Sequence, residues 1–117
     1  VANEALGLED EFYSPMAQYV LAYILRDRQQ FDLALDYCQQ AIITLKDIQH
    51  ADAWRVLARA YDALGEVQRS AGHAFESKRA FTHALNVYQQ LGSKKECARI
   101  QHKINQFYAL PVLGGGG

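Results

Sequence analysis

The chain has 117 residues, half of them apolar and about a fifth charged, with a formal net charge of −1. That length suits one compact domain, the apolar content excludes a disordered chain, and two cysteines cannot staple a disulfide-rich scaffold. No apolar run approaches the roughly 20 residues needed to cross a bilayer. Residues 16–110 hold no proline and only Gly65, Gly72 and Gly92, as a nearly all-helical domain would.

Residues 1–14 read as a lead-in segment, with the acidic stretch Glu9-Asp10-Glu11 followed by Phe12 and Tyr13. Ser14-Pro15 predicts a helix start, serine capping and proline at the first helical position. The helix over about 15–27 then carries Met16, Ala17, Val20, Leu21, Ile24 and Leu25 along one side. A polar break at 26–30 precedes a second helix over 31–47, with Phe31, Ala34, Leu35, Cys38, Ala41, Ile42 and Leu45 as its buried face. The third, over 51–71, buries Trp54, Leu57, Ala58, Tyr61, Leu64 and Val67 and ends at Gly72. The fourth, over 74–91, uses Phe75, Phe81, Ala84, Leu85 and Tyr88, with Gly92 as its C-terminal cap. Ser93 and Glu96 form a capping-box pattern for a fifth helix carrying Cys97, Ile100, Ile104 and Phe107. Leu110-Pro111 would stop it, leaving 109–117 as a tail or linker.

Two of these helix pairs share a register. Ala34, Cys38 and Ala41 repeat as Ser77, Phe81 and Ala84, and Leu21-Ala22 as Leu64-Gly65, each 43 residues on. Such repetition marks a helical repeat. The pattern resembles the tetratricopeptide repeat, a 34-residue helix–turn–helix with large and small residues at set positions. With Pro15 as its first position, one repeat has Gln18, Leu21, Ala22, Leu25, Ala34, Cys38, Ala41 and Lys46 at the signature sites. With Ala58 first, the other has Tyr61, Leu64, Gly65, Gln68, Ser77, Phe81, Ala84 and Gln89. Gln18, Gln68 and both missing closing prolines depart from the pattern. Trp54, Leu57, Ala58 and Tyr61 echo the spacing of Tyr61, Leu64, Gly65 and Gln68, so the third helix is extended by about two turns along its buried side. Long-helix repeats of this sort are similar to those of bacterial regulators and kinesin light chains. The resemblance spans 15–108 and implies an all-α, tetratricopeptide-like stack of antiparallel helix hairpins: two repeats plus a fifth, capping or half-repeat helix.

The residues carry no catalytic constellation. Cys38 and Cys97 read as packing residues, and neither has the closely spaced partner of a zinc or redox site. His50, His73, His83 and His102 lack the i,i+4 spacing that would set two ligands on one helical face; His73 and Glu76 are better placed to serve the start of the fourth helix. The terminal glycines precede no helix and form no phosphate loop. Lys95, Arg99 and Lys103 line up on the fifth helix beside Lys94 and His102. In a chain of net charge −1 they predict a solvated outer face, with an acidic protein partner as the alternative. No enzyme activity, metal or cofactor is expected, and nothing points to a membrane or to nucleic acid.

In the resembling family the first helix of each pair lines a concave groove. The matching positions hold Met16, Tyr19, Tyr23 and Arg26, then Arg59, Asp62, Glu66 and Arg69, with Arg55 extending the row one turn earlier. Tyrosine and arginine combine contact area with directed hydrogen bonding, as binding surfaces require. The competing reading packs Tyr19 and Tyr23 against the N-terminal segment or a preceding repeat. The Lys and Asn clamp with which chaperone-tail-binding members hold a carboxylate is missing, since Tyr19, Tyr23 and Ala63 stand at those sites. The resemblance thus implies a non-enzymatic, cytoplasmic module, part of a larger protein, that takes a peptide or partner helix in its groove. The alternative is a peptide-sensing regulatory domain of a bacterial transcriptional or signalling regulator. A short stack has open ends, which favour self-association through the first or fifth helix.

Overall fold

The computed structural model describes residues 10–108, and the chain there forms five α-helices: α1 Asp10–Asp27, α2 Phe31–Leu45, α3 Ala51–Ser70, α4 Ala74–Gln90 and α5 Lys94–Tyr108. The expected Pro111 stop and the glycine tail lie outside the described residues. Three-residue links join α1 to α2, α3 to α4 and α4 to α5, so consecutive helices pack antiparallel as hairpins. Contacts also run from α1 and α2 to α3. One side of the stack therefore carries α1, α3 and α5, the other α2 and α4.

Helix ends follow local chemistry. Gly72 and Gly92 adopt positive φ, +85° and +71°, just past α3 and α4, the left-handed step that glycine takes without a Cβ clash. Paired backbone bonds close both turns: His73 N–H to Gln68 O at 2.8 Å, and Ser93 N–H to Tyr88 O at 3.0 Å. Past α1 the same turn is made by Gln29, at φ +62°, with Gln30 N–H reaching Leu25 O at 2.9 Å. Gln29 stands 43 residues before Gly72. The repeat thus preserves the turn while losing the residue that makes it easy.

Four expectations need correction. The first helix starts at Asp10 and takes Pro15 inside it, instead of starting at Pro15. Pro15 is the sixth residue of that helix, past the first turn, so it forfeits one i→i−4 backbone bond there. Ala17, Val20 and Ile24 of α1 are exposed, because that face has no neighbour among the described residues. Phe75 is exposed in the first turn of α4. His73 makes no side-chain cap; its Nδ1 lies 2.7 Å from Gln68 Oε1, while His50 caps α3 by accepting Asp52 N–H at 3.1 Å.

Three clusters make the core. Ala41, Ile42 and Leu45 of α2 meet Ala53, Val56, Leu57 and Ala60 of α3. Ala22 and Leu25 of α1, Ala34 and Cys38 of α2, and Ala63 and Val67 of α3 form the second. Ala58, Phe81, Ala84, Tyr88 and Ile100 tie α3, α4 and α5 together. Cys38 is a small buried hydrophobe whose thiol is pushed up to about 12 by burial. Gly65 is fitted to Phe81: a Cβ there would meet the ring at 2.6 Å. Ser77 donates to the Gly65 carbonyl at 2.7 Å and accepts from the Tyr108 hydroxyl, so the buried polar atoms at this close approach are paired.

Candidate functional site

The residues expected to line a groove lie on α1 and α3, whose shared side continues onto α5. Tyr19 and Tyr23 are partly buried, both packed against the second cluster, which contains Ala63 and Val67 of α3. The small residues of α3 leave room for these rings. Burial, reinforced by Asp62 and Glu66, pushes the Tyr23 phenol well above its usual range. The Arg26 guanidinium lies 5.2 Å over the Tyr23 ring, 3.0 Å from Asp27 and 4.0 Å from Glu66. Further along, Arg59 sits beside the Tyr19 and Tyr88 hydroxyls, and its pKa is raised, chiefly by Tyr19.

The middle of the row is an ion network that crosses from α3 to α5. Asp62 is buried and accepts from Arg99 Nη1 at 2.9 Å and from Lys103 Nζ at 2.8 Å. Lys103 Nζ also lies 2.8 Å from Glu66 Oε2, and Glu66 Oε1 accepts from Arg69 Nη2 at 3.0 Å. Burial pushes the Glu66 carboxyl up, but Lys103 and Arg69 outweigh it and hold it below the usual range. Arg69 in turn lies 4.3 Å over the Phe107 ring. Arg99 also binds Glu96 at 2.9 Å, which holds that carboxyl low and the guanidinium pKa high.

The structure therefore gathers Tyr23, Arg26, Asp62, Glu66 and Arg69 into one connected row and sets Tyr19 with Arg59 beside it. Arg55 stands apart, exposed and paired with Asp52 at 2.9 Å. The expectation of a solvated outer face at Lys95, Arg99 and Lys103 holds for exposed Lys95, in part for Arg99, which is exposed but also ion-paired, and not for Lys103. Arg99 and Lys103 are structural partners of Asp62. The signal that finds them is the 43-residue register carried one helix further, since Arg99 and Lys103 align with Val56 and Ala60, which face α1 and α2 from α3.

Two features of the surface escape sequence reasoning. Asp62 is buried and Glu66 largely so, whereas Arg59, Arg69 and Arg99 are exposed, so the outward fringe of this side is cationic although its inner layer is balanced. On the opposite side, a cleft of about 370 Å³ opens between α2 and α4, with Tyr61 of α3 stacked on His83 at 5.0 Å and Ile42, Ile43, Leu64 and Arg79 around it. Among the described residues no group of three or more His, Cys, Asp or Glu could hold a metal ion, and no helix is long and apolar enough to cross a membrane. No family model, curated protein or solved structure matches the chain.

Proposed function

We propose that the chain is a tetratricopeptide-like, non-enzymatic interaction module of a larger cytoplasmic protein, and that it takes an acidic peptide or partner helix along the side formed by α1, α3 and α5. The observation that carries this reading is the asymmetry of the ion network. Its carboxylates are turned inward and satisfied, while Arg59 and Arg69 remain exposed next to Tyr19 and Phe107. Exposed guanidinium groups held beside aromatic rings favour carboxylates and aromatic or apolar side chains on an incoming chain, with little side-chain entropy left to lose. The repeat reading is supported by the common register of Gly72 with Gln29, Phe81 with Cys38 and Gly65 with Ala22.

The test is selection of binding peptides from a displayed random library, followed by titration against the protein and its Tyr19→Ala/Arg59→Ala variant. The expected outcome is enrichment of Asp and Glu and an affinity loss of about ten-fold or more in the variant, the size of one or two hot-spot contacts. Equal affinity of the two proteins for the selected peptides would remove Tyr19 and Arg59 from the binding surface.

A further inference from the structure

We propose that the cleft between α2 and α4 is a binding site for a small zwitterion that carries an aromatic ring, of the class of the free aromatic α-amino acids. Both helices pack on α3 and leave an opening of about 370 Å³ between them, with Ile42, Leu64 and Ala80 among its apolar lining. That volume lies at the lower end of the roughly 300–1,000 Å³ of small-molecule sites, so it suits one compact molecule.

The cleft is aromatic at one end and polar at the other. At the aromatic end His83 of α4 is stacked on Tyr61 of α3, with centroids 5.0 Å apart, and Ile43 of α2, 64% exposed, adds an apolar wall. A third ring entering there finds a face to stack on and apolar surface to bury. About two turns away, where α3 ends and α4 begins, the lining is Gln68, Glu76 and Arg79. Gln68 is buried and its Oε1 lies 2.7 Å from His73 Nδ1, which leaves its amide nitrogen as a donor. Glu76 and Arg79 are exposed and stand three residues apart, a spacing that would let them pair with each other. Among the described residues neither makes an ion pair or a side-chain hydrogen bond.

These two free charges of opposite sign define the ligand. A purely anionic molecule would leave Glu76 facing its charge, and a purely cationic one Arg79. An ammonium and a carboxylate on one carbon satisfy both. Arg79 and His83 are four residues apart, about 6 Å along the helix, which an arylalanine spans from its carboxylate to its ring. The repeat does not account for this set of side chains. Forty-three residues earlier Leu33, Asp36 and Gln40 stand in place of Glu76, Arg79 and His83, and Gln18 in place of Tyr61. Stacking one hairpin on the next therefore does not call for them.

Titration of the ¹⁵N-labelled full chain with L-phenylalanine, up to about 20 mM, tests the proposal. Saturable amide shifts centred on Ile43, Gln68, Arg79 and His83 are expected, with a Kd of about 0.1–5 mM, weak because the charges it meets are exposed to water. L-Alanine, phenethylamine and 3-phenylpropionate lack the ring, the carboxylate and the ammonium in turn, and each should bind about three-fold more weakly or worse. Glu76→Gln and Arg79→Gln should each weaken phenylalanine binding by about two- to five-fold, and His83→Ala by a similar factor. Circular dichroism confirms that these surface variants keep their helices. Absence of saturable shifts around the cleft would overturn the proposal. So would equal binding of phenylalanine and the three analogues, or variants that all bind like the parent. The site lies apart from the α1–α3–α5 side, so its failure is distinguishable from failure of the peptide reading.

Discussion

At Gly65 and Phe81 two residues divide a volume that Ala22 and Cys38 divide differently in the preceding repeat. The first repeat uses a methyl against a thiol, the second a bare backbone against a phenyl ring, and all four positions are buried. Gly65→Ala should consequently destabilise the protein by about 1–3 kcal/mol by overpacking, despite a helix-propensity gain of up to about 1 kcal/mol. Adding Phe81→Leu should recover much of that loss, giving a favourable coupling in a urea-denaturation double-mutant cycle. Additive effects would mean that the ring and the glycine are not fitted to one another. Gln29 supplies the opposite test. It holds a left-handed conformation that costs an L-residue roughly 1–2 kcal/mol, so Gln29→Gly should stabilise by about 0.5–1 kcal/mol, visible as a higher urea midpoint at unchanged slope. The small-for-large exchange at Gly65 was legible in the sequence because both members keep their register. The strain at Gln29 was not, because a polar break between helices leaves its turn type open.

Among the elements, α5 departs furthest from its sequence reading. The periodicity set its limits, yet the meaning of its basic row depended on Asp62, 37 residues from Arg99 and 41 from Lys103, beyond the reach of any local pattern. The α1–α3 seam is closed by tyrosines over small side chains and the α3–α5 seam by ion pairs, at equivalent positions of the same repeat. These seams should respond differently to pH. Glu66 has a folded pKa below its ordinary value, so its contribution is present above about pH 4.3 and is lost as pH falls through the folded value. Urea stability should therefore decline on acidification from about pH 5 to pH 3, and Glu66→Gln should reduce that decline while lowering stability at neutral pH. An identical pH profile for both proteins would show that the α3–α5 seam does not depend on this carboxylate. α1 differs from its expected packing for a related reason: hydrophobic spacing shows which faces of a helix are apolar, but not whether a neighbour exists to cover each of them.

For the whole molecule, a single register of 43 residues relates both hairpins and extends to α5, and it sorts the surface into unlike regions. The end carrying Val20 and Ile24 is apolar, the α1–α3–α5 side is cationic at its rim, and the α2–α4 side holds the open cleft near His83. The central claim is that peptide recognition belongs to the second of these. Its most direct measurement is a titration of ¹⁵N-labelled protein with a library-selected acidic peptide, followed through the backbone amides. We predict the largest shifts around Tyr19, Arg59 and Arg69, with α2 and α4 nearly unmoved. Shifts centred on Ile43, Arg79 and His83 would instead assign peptide recognition to the cleft between α2 and α4 and contradict the account.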